Sequence, residues 1–267
     1  MKFLKSTCIL FLLLVISMTG NAQTADEILD NYYEAIGGRD AWSKVDGFKY
    51  SAKVNQGGME IPVEMVQTKS GEGYMRISFQ GLTIMQGVFD GETLWNTNFQ
   101  TMKAEKATSE QIANHKLSTN DFPDALLNYK ENKYQIELIG KETFDGTEAF
   151  KIKLTKEPMM VDGKKVDDVD FYFFETESFA MIGSESEMVE GEMKGGISQT
   201  KFSDYQEVDG LMIPFSISDG VKDGPTQPIV IETIELNPKM DKSLLVFPDD
   251  AATKTAPKGE PGKGGDK

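Results

Sequence analysis

The sequence holds a single histidine, His115, and a single cysteine, Cys8, among 267 residues. That pair bounds the available chemistry. A zinc site needs three or four imidazole, thiolate or carboxylate ligands, and closed sites draw on several Cys and His. A Ser-His-Asp triad would have to use His115, and the Gly-x-Ser-x-Gly elbow that presents a serine nucleophile is missing. His115 therefore reads either as a triad base or as a residue on a helix surface, and the second reading needs no partner. Carboxylates are abundant, 43 in all. Glycoside hydrolysis uses two, but such abundance makes any chosen pair uninformative. A hydrolase with two buried acids facing across a cleft stays as one alternative. The run VDGKKVDDVD, residues 161–170, could bind calcium as an acidic hairpin loop. It lacks the regular Asp-x-Asp-x-Asp-Gly ligand order of an EF-hand. No phosphate loop or dinucleotide fingerprint occurs. The residues thus point to no enzyme, no cofactor and no metal.

The ends of the chain carry other information. Lys2 and Lys5 precede the apolar run Ile9–Ile16, and Gly20-Asn21-Ala22 places small residues where a signal peptidase reads. The expectation is a signal peptide over 1–22, cleaved after Ala22. The apolar run is shorter than the roughly 20 residues that span a bilayer. Cys8 leaves with it, so the mature chain has no disulfide and no thiol nucleophile. The whole chain has net charge −15, and the mature chain −17, with 26 basic against 43 acidic side chains once Lys2 and Lys5 are gone. Such a surface repels nucleic acid and anionic head groups and favours a soluble monomer. Residues 249–267 lack large apolar side chains and are rich in Lys, Gly and Pro, the composition of a disordered tail.

Between those ends, 23–248 reads as one domain. Thr24 and Glu27 have the spacing of a capping box. Ile28, Leu29, Tyr32, Ala35 and Ile36 form a helical stripe that stops at Gly37-Gly38. A short turn of helix around Ala41-Trp42 follows. The apolar period then becomes two. Phe48, Tyr50, Ala52 and Val54 alternate with polar residues, as do Ile61, Val63 and Met65, and then Met75, Ile77 and Phe79. About a dozen such strands run to Leu236. Asp-Gly occurs seven times, a strong hairpin signal. Residues 108–132 break the series with helical composition, read as two short helices, the second starting near Asp121 or Pro123. The expected fold is mainly β, an α+β chain with an antiparallel sheet, an N-terminal helix and a mid-chain helical insert. Pro62 and Pro214 fall inside strand patterns, where a missing N–H would cost a ladder bond unless it faces no partner.

The whole chain has 14 methionines and 16 phenylalanines, many of them at strand positions. Met59, Met65, Met75, Met85, Met181 and Met188 would suit a deformable cavity, since methionine adapts to varied apolar shapes. They would equally suit an ordinary core.

The segment FDGETLWNTNFQTMKAEKAT, residues 89–108, resembles the Asp-Gly-x-x-Leu-Trp strand pair of the LolA-like periplasmic lipoprotein carriers. TIMQGV (83–88), MVQTKSGEGYMRISF (65–79), FKIKL (150–154), DFYFFETESF (170–179) and DYQEVDGLMIPFSI (204–217) are similar to the same family and to its longer outer-membrane lipoprotein-sorting relatives. The resemblance implies a curved, incomplete antiparallel β-barrel around helices that act as a lid over an apolar cavity for acyl chains. It implies a periplasmic carrier of acylated lipoprotein or lipid that performs no chemistry, with an inner-membrane release complex and an outer-membrane acceptor as partners. Strand parity then assigns the cavity to Met65, Met75, Ile77, Phe79, Ile84, Val88, Trp95, Phe150, Ile152, Leu154, Phe171 and Phe173. The lid falls to Ile112, Leu117, Phe122, Leu126 and Leu127. Lys69 is the nearest match to the basic switch residue of the family's first turn, although the proline beside it is missing. A non-catalytic interaction module with a filled core is the alternative.

Overall fold

Thr24 starts the first helix, α1 (Ala25–Ala35), through a reciprocal pair of bonds. The Thr24 amide donates to Glu27 Oε2 at 2.9 Å, and the Glu27 amide donates to Thr24 Oγ1 at 3.2 Å. Ile28, Leu29, Tyr32 and Tyr33 form its buried face. The helix stops where Gly37 takes φ +112°, and a side chain there would collide with the Gly210 carbonyl. The computed structural model describes residues 23–248, so the leader expected over 1–22 and the tail expected over 249–267 lie outside the described residues.

After α2 (Arg39–Trp42) come β1 (Gly47–Gln56), β2 (Met59–Thr68), β3 (Gly73–Phe79), β4 (Leu82–Phe89), β5 (Leu94–Thr97) and β6 (Ala104–Lys106), one antiparallel meander. The insert follows: α3 (Ser109–Ser118), a 3-10 turn Thr119–Asp121, and turns up to Tyr134. The second expected helix does not form. Asp124 spends its side chain accepting from the Leu126 amide at 2.9 Å, a local bond that favours a turn over a helix. Then come β7 (Gln135–Phe144), β8 (Thr147–Thr155), a small hairpin of β9 (Met159–Val161) and β10 (Lys164–Val166), β11 (Val169–Glu175), β12 (Met181–Glu187), β13 (Ile197–Val208), β14 (Leu211–Val221) and β15 (Thr226–Leu236).

Thirteen strands form one curved sheet in the order β6-β5-β4-β3-β2-β1-β15-β14-β13-β12-β11-β8-β7. The two ends, β6 and β7, do not pair, so the sheet stays open and never closes into a barrel. The last strand sits in the middle, between β1 and β14. Three of the Asp-Gly pairs, at Asp145, Asp162 and Asp209, are tight hairpin turns with both residues at positive φ. Asp219-Gly220 instead lies within β14, where a Gly220 side chain would strike the Pro225 carbonyl.

The prolines are explained by a seam. β14 pairs with β15 only from Ser216 to Gly220, while β15 runs on against β1 to Leu236. The free half of β14 keeps only β13 as a partner. Its Met212 amide donates to the Ile36 carbonyl at 3.1 Å, so it points away from β13 into the seam. Pro214 lies two residues on with the same orientation, and its missing N–H faces no strand. The Trp42 indole donates to the same Ile36 carbonyl at 3.0 Å, so the end of α1 fills the gap. Pro62 likewise opposes only Lys53, because pairing of β2 with β3 begins at Val63. Neither proline lies on an edge strand of the sheet.

Packing occurs on both faces. On the concave face, α1 and the turn around Ala125–Leu127 bury Phe150, Ile152, Leu154, Phe174, Leu211 and Ile213. On the convex face, a 3-10 turn (Lys242–Leu245) brings Leu245 onto Val66, Tyr74, Met85, Val88 and Trp95.

Candidate ligand-binding site

Alternation along β1 sends Phe48, Tyr50, Ala52 and Val54 to the concave face, and the paired strands continue that face with Val63, Met65, Met75 and Ile77. From the other side come Tyr172, Met181, Phe202, Tyr205, Ile213, Ile217, Ile229 and Ile231. Tyr32, Trp42 and the segment Asp121–Ala125 lie across them. Together they line a half-open cavity of about 610 Å³, within the roughly 300–1,000 Å³ of small-molecule sites. Its walls are mainly apolar, with the carboxylates of Asp121, Asp124 and Asp219 among them. Among the described residues that line it, none is lysine, arginine or histidine.

A second, smaller space of about 330 Å³ lies beside it and shares Met65, Met75, Asp121 and Pro123. Gly71, Gln86, His115 and Thr119 are among its other walls. The 3-10 turn and Pro123 thus separate two parts of one groove. His115 packs its ring edge-on against Phe89, centroids 4.5 Å apart, and its buried Nε2 has no partner. Burial lowers its pKa, against a smaller raising effect of the Gly71 carbonyl. His115 thus lies on α3, half-buried against Phe89 rather than on a helix surface, and among the described residues no serine or carboxylate side chain bonds to it.

The segment over the cavity is anchored by polar bonds. Asp124 accepts from the Tyr33 hydroxyl at 2.8 Å as well as from Leu126. Burial raises its pKa, partly offset by those two bonds. Asp121 accepts from the Tyr134 hydroxyl at 2.8 Å and from Lys156 at 3.3 Å. Lys156 also reaches Asp168 at 3.1 Å and Asp170 at 2.9 Å, with its side chain only 13% exposed. Burial alone would depress the Lys156 ammonium, but Asp170, Asp121 and Asp168 outweigh it and hold it above its ordinary value. The Asp168 carboxyl is raised, first by burial and then by Asp170 and Asp121 against the pull of Lys156. In the run 161–170, the place a calcium ion would take beside Asp168 and Asp170 is filled by a lysine ammonium. Among the described residues no group of three or more His, Cys, Asp or Glu is placed to hold a metal ion. α3 is tied to the β9–β10 hairpin, with Glu110 accepting from the Asp162 and Gly163 amides at 3.0 and 2.8 Å.

The expected cavity residues divide. Met65, Met75 and Ile77 line the cavity. Phe79 continues their face at the end of β3, and Ile84 opposes Ile77 from β4, but neither reaches the cavity wall. Phe150, Ile152 and Leu154 face the same side and are consumed by the core under α1. Val88 and Trp95 are a correction. A bulge at Gly87, φ +57°, shifts the register between β3 and β4 and turns Val88 to the convex face. Trp95, opposite Val88, goes with it and donates to the Leu245 carbonyl at 3.0 Å. Phe171 and Phe173 are a second correction. They oppose Lys153 and Lys151 on the convex face, with the Lys151 ammonium over both rings, while Tyr172 and Phe174 turn inward. Four consecutive aromatic residues show no alternation, so their parity was unreadable.

The expected lid residues divide as well. Ile112 and Leu117 lie half-buried on α3. Phe122 packs tilted against Phe48, 5.7 Å between centroids, and Leu126 and Leu127 are buried in the main core. Lys69 sits exposed in the β2–β3 turn, 3.9 Å from Asp46. The inward residues of β13–β15 were missed, although the alternation of Ile213, Ile217, Ile229 and Ile231 carried the signal.

No known family profile matches the sequence, and no curated protein matches it. Among solved structures, a LolA superfamily protein from Nitrosomonas europaea is similar at 15% identity and TM-score 0.47, over 86% of this chain and 100% of that one. An outer membrane lipoprotein-sorting protein domain from Vibrio parahaemolyticus is similar at 8% identity and TM-score 0.47, over 82% and 97%. A DUF1329 family protein from Desulfovibrio piger is similar at 14% identity and TM-score 0.47, over 80% and 95%.

Proposed function

We propose that the chain is an exported, periplasmic carrier that holds the acyl chains of a lipoprotein or another lipid and performs no chemistry. The observation that carries this reading is the apolar cavity of about 610 Å³ between the concave sheet face and the segment Asp121–Ala125. Each CH₂ of a ligand buried against these apolar walls gains about 0.8 kcal/mol. Met65, Met75 and Met181 give the walls adaptable side chains. Phe122, Leu126 and Leu127 belong to the segment that must yield when a ligand enters, with Ile112 and Leu117 on the helix behind it. Export rests on the leader-like sequence over 1–22. A monomer that meets a release complex at the inner membrane and an acceptor at the outer one completes the proposal, with Lys69 exposed for either encounter.

The test is direct. The protein is purified from a periplasmic fraction and extracted with organic solvent, and the extract is analysed by mass spectrometry. Stoichiometric acylated peptide or phospholipid is the expected result. A clean extract, with no uptake of a fluorescent fatty-acyl probe, would replace the carrier by an envelope interaction module.

A further inference from the structure

The charged groups around the cavity carry an inference about which lipids it takes. Three carboxylates line the cavity, those of Asp121, Asp124 and Asp219, and among the described lining residues there is no cationic side chain. Two cations beside the cavity are already committed. Lys156 faces Asp121, Asp168 and Asp170 together. Arg39 lies outside, over the far face of the Tyr33 ring at 4.2 Å, and pairs with Asp30 at 3.1 Å. Asp124 is fixed by the Tyr33 hydroxyl on Oδ2 and the Leu126 amide on Oδ1. Each of those oxygens keeps a second lone pair, because a carboxylate offers about four acceptor sites. Asp219 holds the Thr200 hydroxyl on one oxygen at 2.6 Å. An anion drawn into this space would meet low dielectric and like charge with no partner. A hydroxyl, amide or ammonium group would meet free acceptors.

We propose, resting on the carrier reading above, that the cavity selects lipids with a neutral hydrogen-bond donor or a cationic group beside the chain and rejects those whose carboxylate must follow the chain inside. Hydroxyl-bearing, amide-linked and amine-bearing acyl compounds are its ligands, and free fatty acids are not. Asp124 is the specificity-determining residue and Asp219 supports it from the sheet side.

The delipidated protein is loaded with the uncharged probe N-phenyl-1-naphthylamine, and displacement is followed with palmityl alcohol, palmitylamine, methyl palmitate and palmitate. The alcohol and the amine are expected to displace the probe at concentrations lower than palmitate by about tenfold or more. In Asp124→Asn the advantage of the amine over palmitate shrinks. Because that variant disturbs an anchored segment, Asp219→Lys is measured beside it at an exposed site, and there palmitate gains. Equal displacement by all four compounds, or a preference for palmitate in the parent protein, overturns the selectivity. Failure of every compound and of the probe to bind overturns the carrier reading instead.

Discussion

Lys156 meets more carboxylates than any other cation among the described residues, one ammonium among three aspartates at 2.9 to 3.3 Å. Removing one partner from a buried ionic group leaves the others uncompensated. Lys156→Met should therefore cost on the order of 3–5 kcal/mol at neutral pH, read as a fall in the denaturant midpoint. Asp168 behaves in the opposite sense. Its folded pKa is raised, so its protonated form favours the folded state and that contribution is lost as pH rises through the folded value. At neutral pH its charge weighs against folding. Asp168→Asn should raise the melting temperature at neutral pH and change little once the pH is below the carboxylate range; a loss at neutral pH would mean that its bond to Lys156 dominates. None of this was legible in the run VDGKKVDDVD. The sequence shows the acids close together, whereas the lysine that meets them lies five residues before the run and the fold alone brings them into contact.

The segment Thr119–Leu127 holds its place by two kinds of contact. Leu126 is fully buried beneath it. Leu126→Ala should cost about 2–5 kcal/mol, measured by denaturation. It should also speed the uptake of a fluorescent acyl probe, because the segment would be held less firmly against the sheet. On the other side, Gly71 takes φ +82°, and a side chain there would run into Thr119. Gly71→Ala should push the 3-10 turn outward and raise the probe uptake rate in the same way; unchanged uptake in both variants would mean that ligands enter elsewhere. The start of α1 was readable to the residue, because Thr24 and Glu27 are local signals, whereas Ala35, counted in its apolar stripe, is exposed. The second helix of the insert was misread because Asp124 satisfies the backbone locally, and composition does not distinguish a turn of that kind from a helix.

Across the molecule, period-two alternation made nearly every strand legible and left the face of some strands illegible. β1 to β3 kept their parity, so Met65, Met75 and Ile77 were assigned to the correct side. One glycine, Gly87, reversed the parity of everything after it in β4, and with it Val88 and Trp95. A bulge is a single-residue event set by pairing between strands, so no pattern along one strand announces it. The seam beside Pro214 was visible only as an anomaly, a proline where a strand should not tolerate one. Its explanation needed the path of β15, which lies between β1 and β14 and is the sole link between the two halves of the sheet.

That placement has a consequence for the order of synthesis. The strand made last is the one that joins a floor begun some 180 residues earlier, since Phe48 opposes Leu236. Until β15 emerges, the chain consists of two half-sheets with no shared edge, and the wall carrying Ile229 and Ile231 does not exist. Such distant pairing makes folding slow. A chain ending at Asp223 should yield no cooperative melting transition, whereas a circular permutant that opens a hairpin turn and keeps β15 beside β1 should melt cooperatively. The cavity therefore exists only once β15 has taken its place between β1 and β14, and no shorter length of the chain presents it.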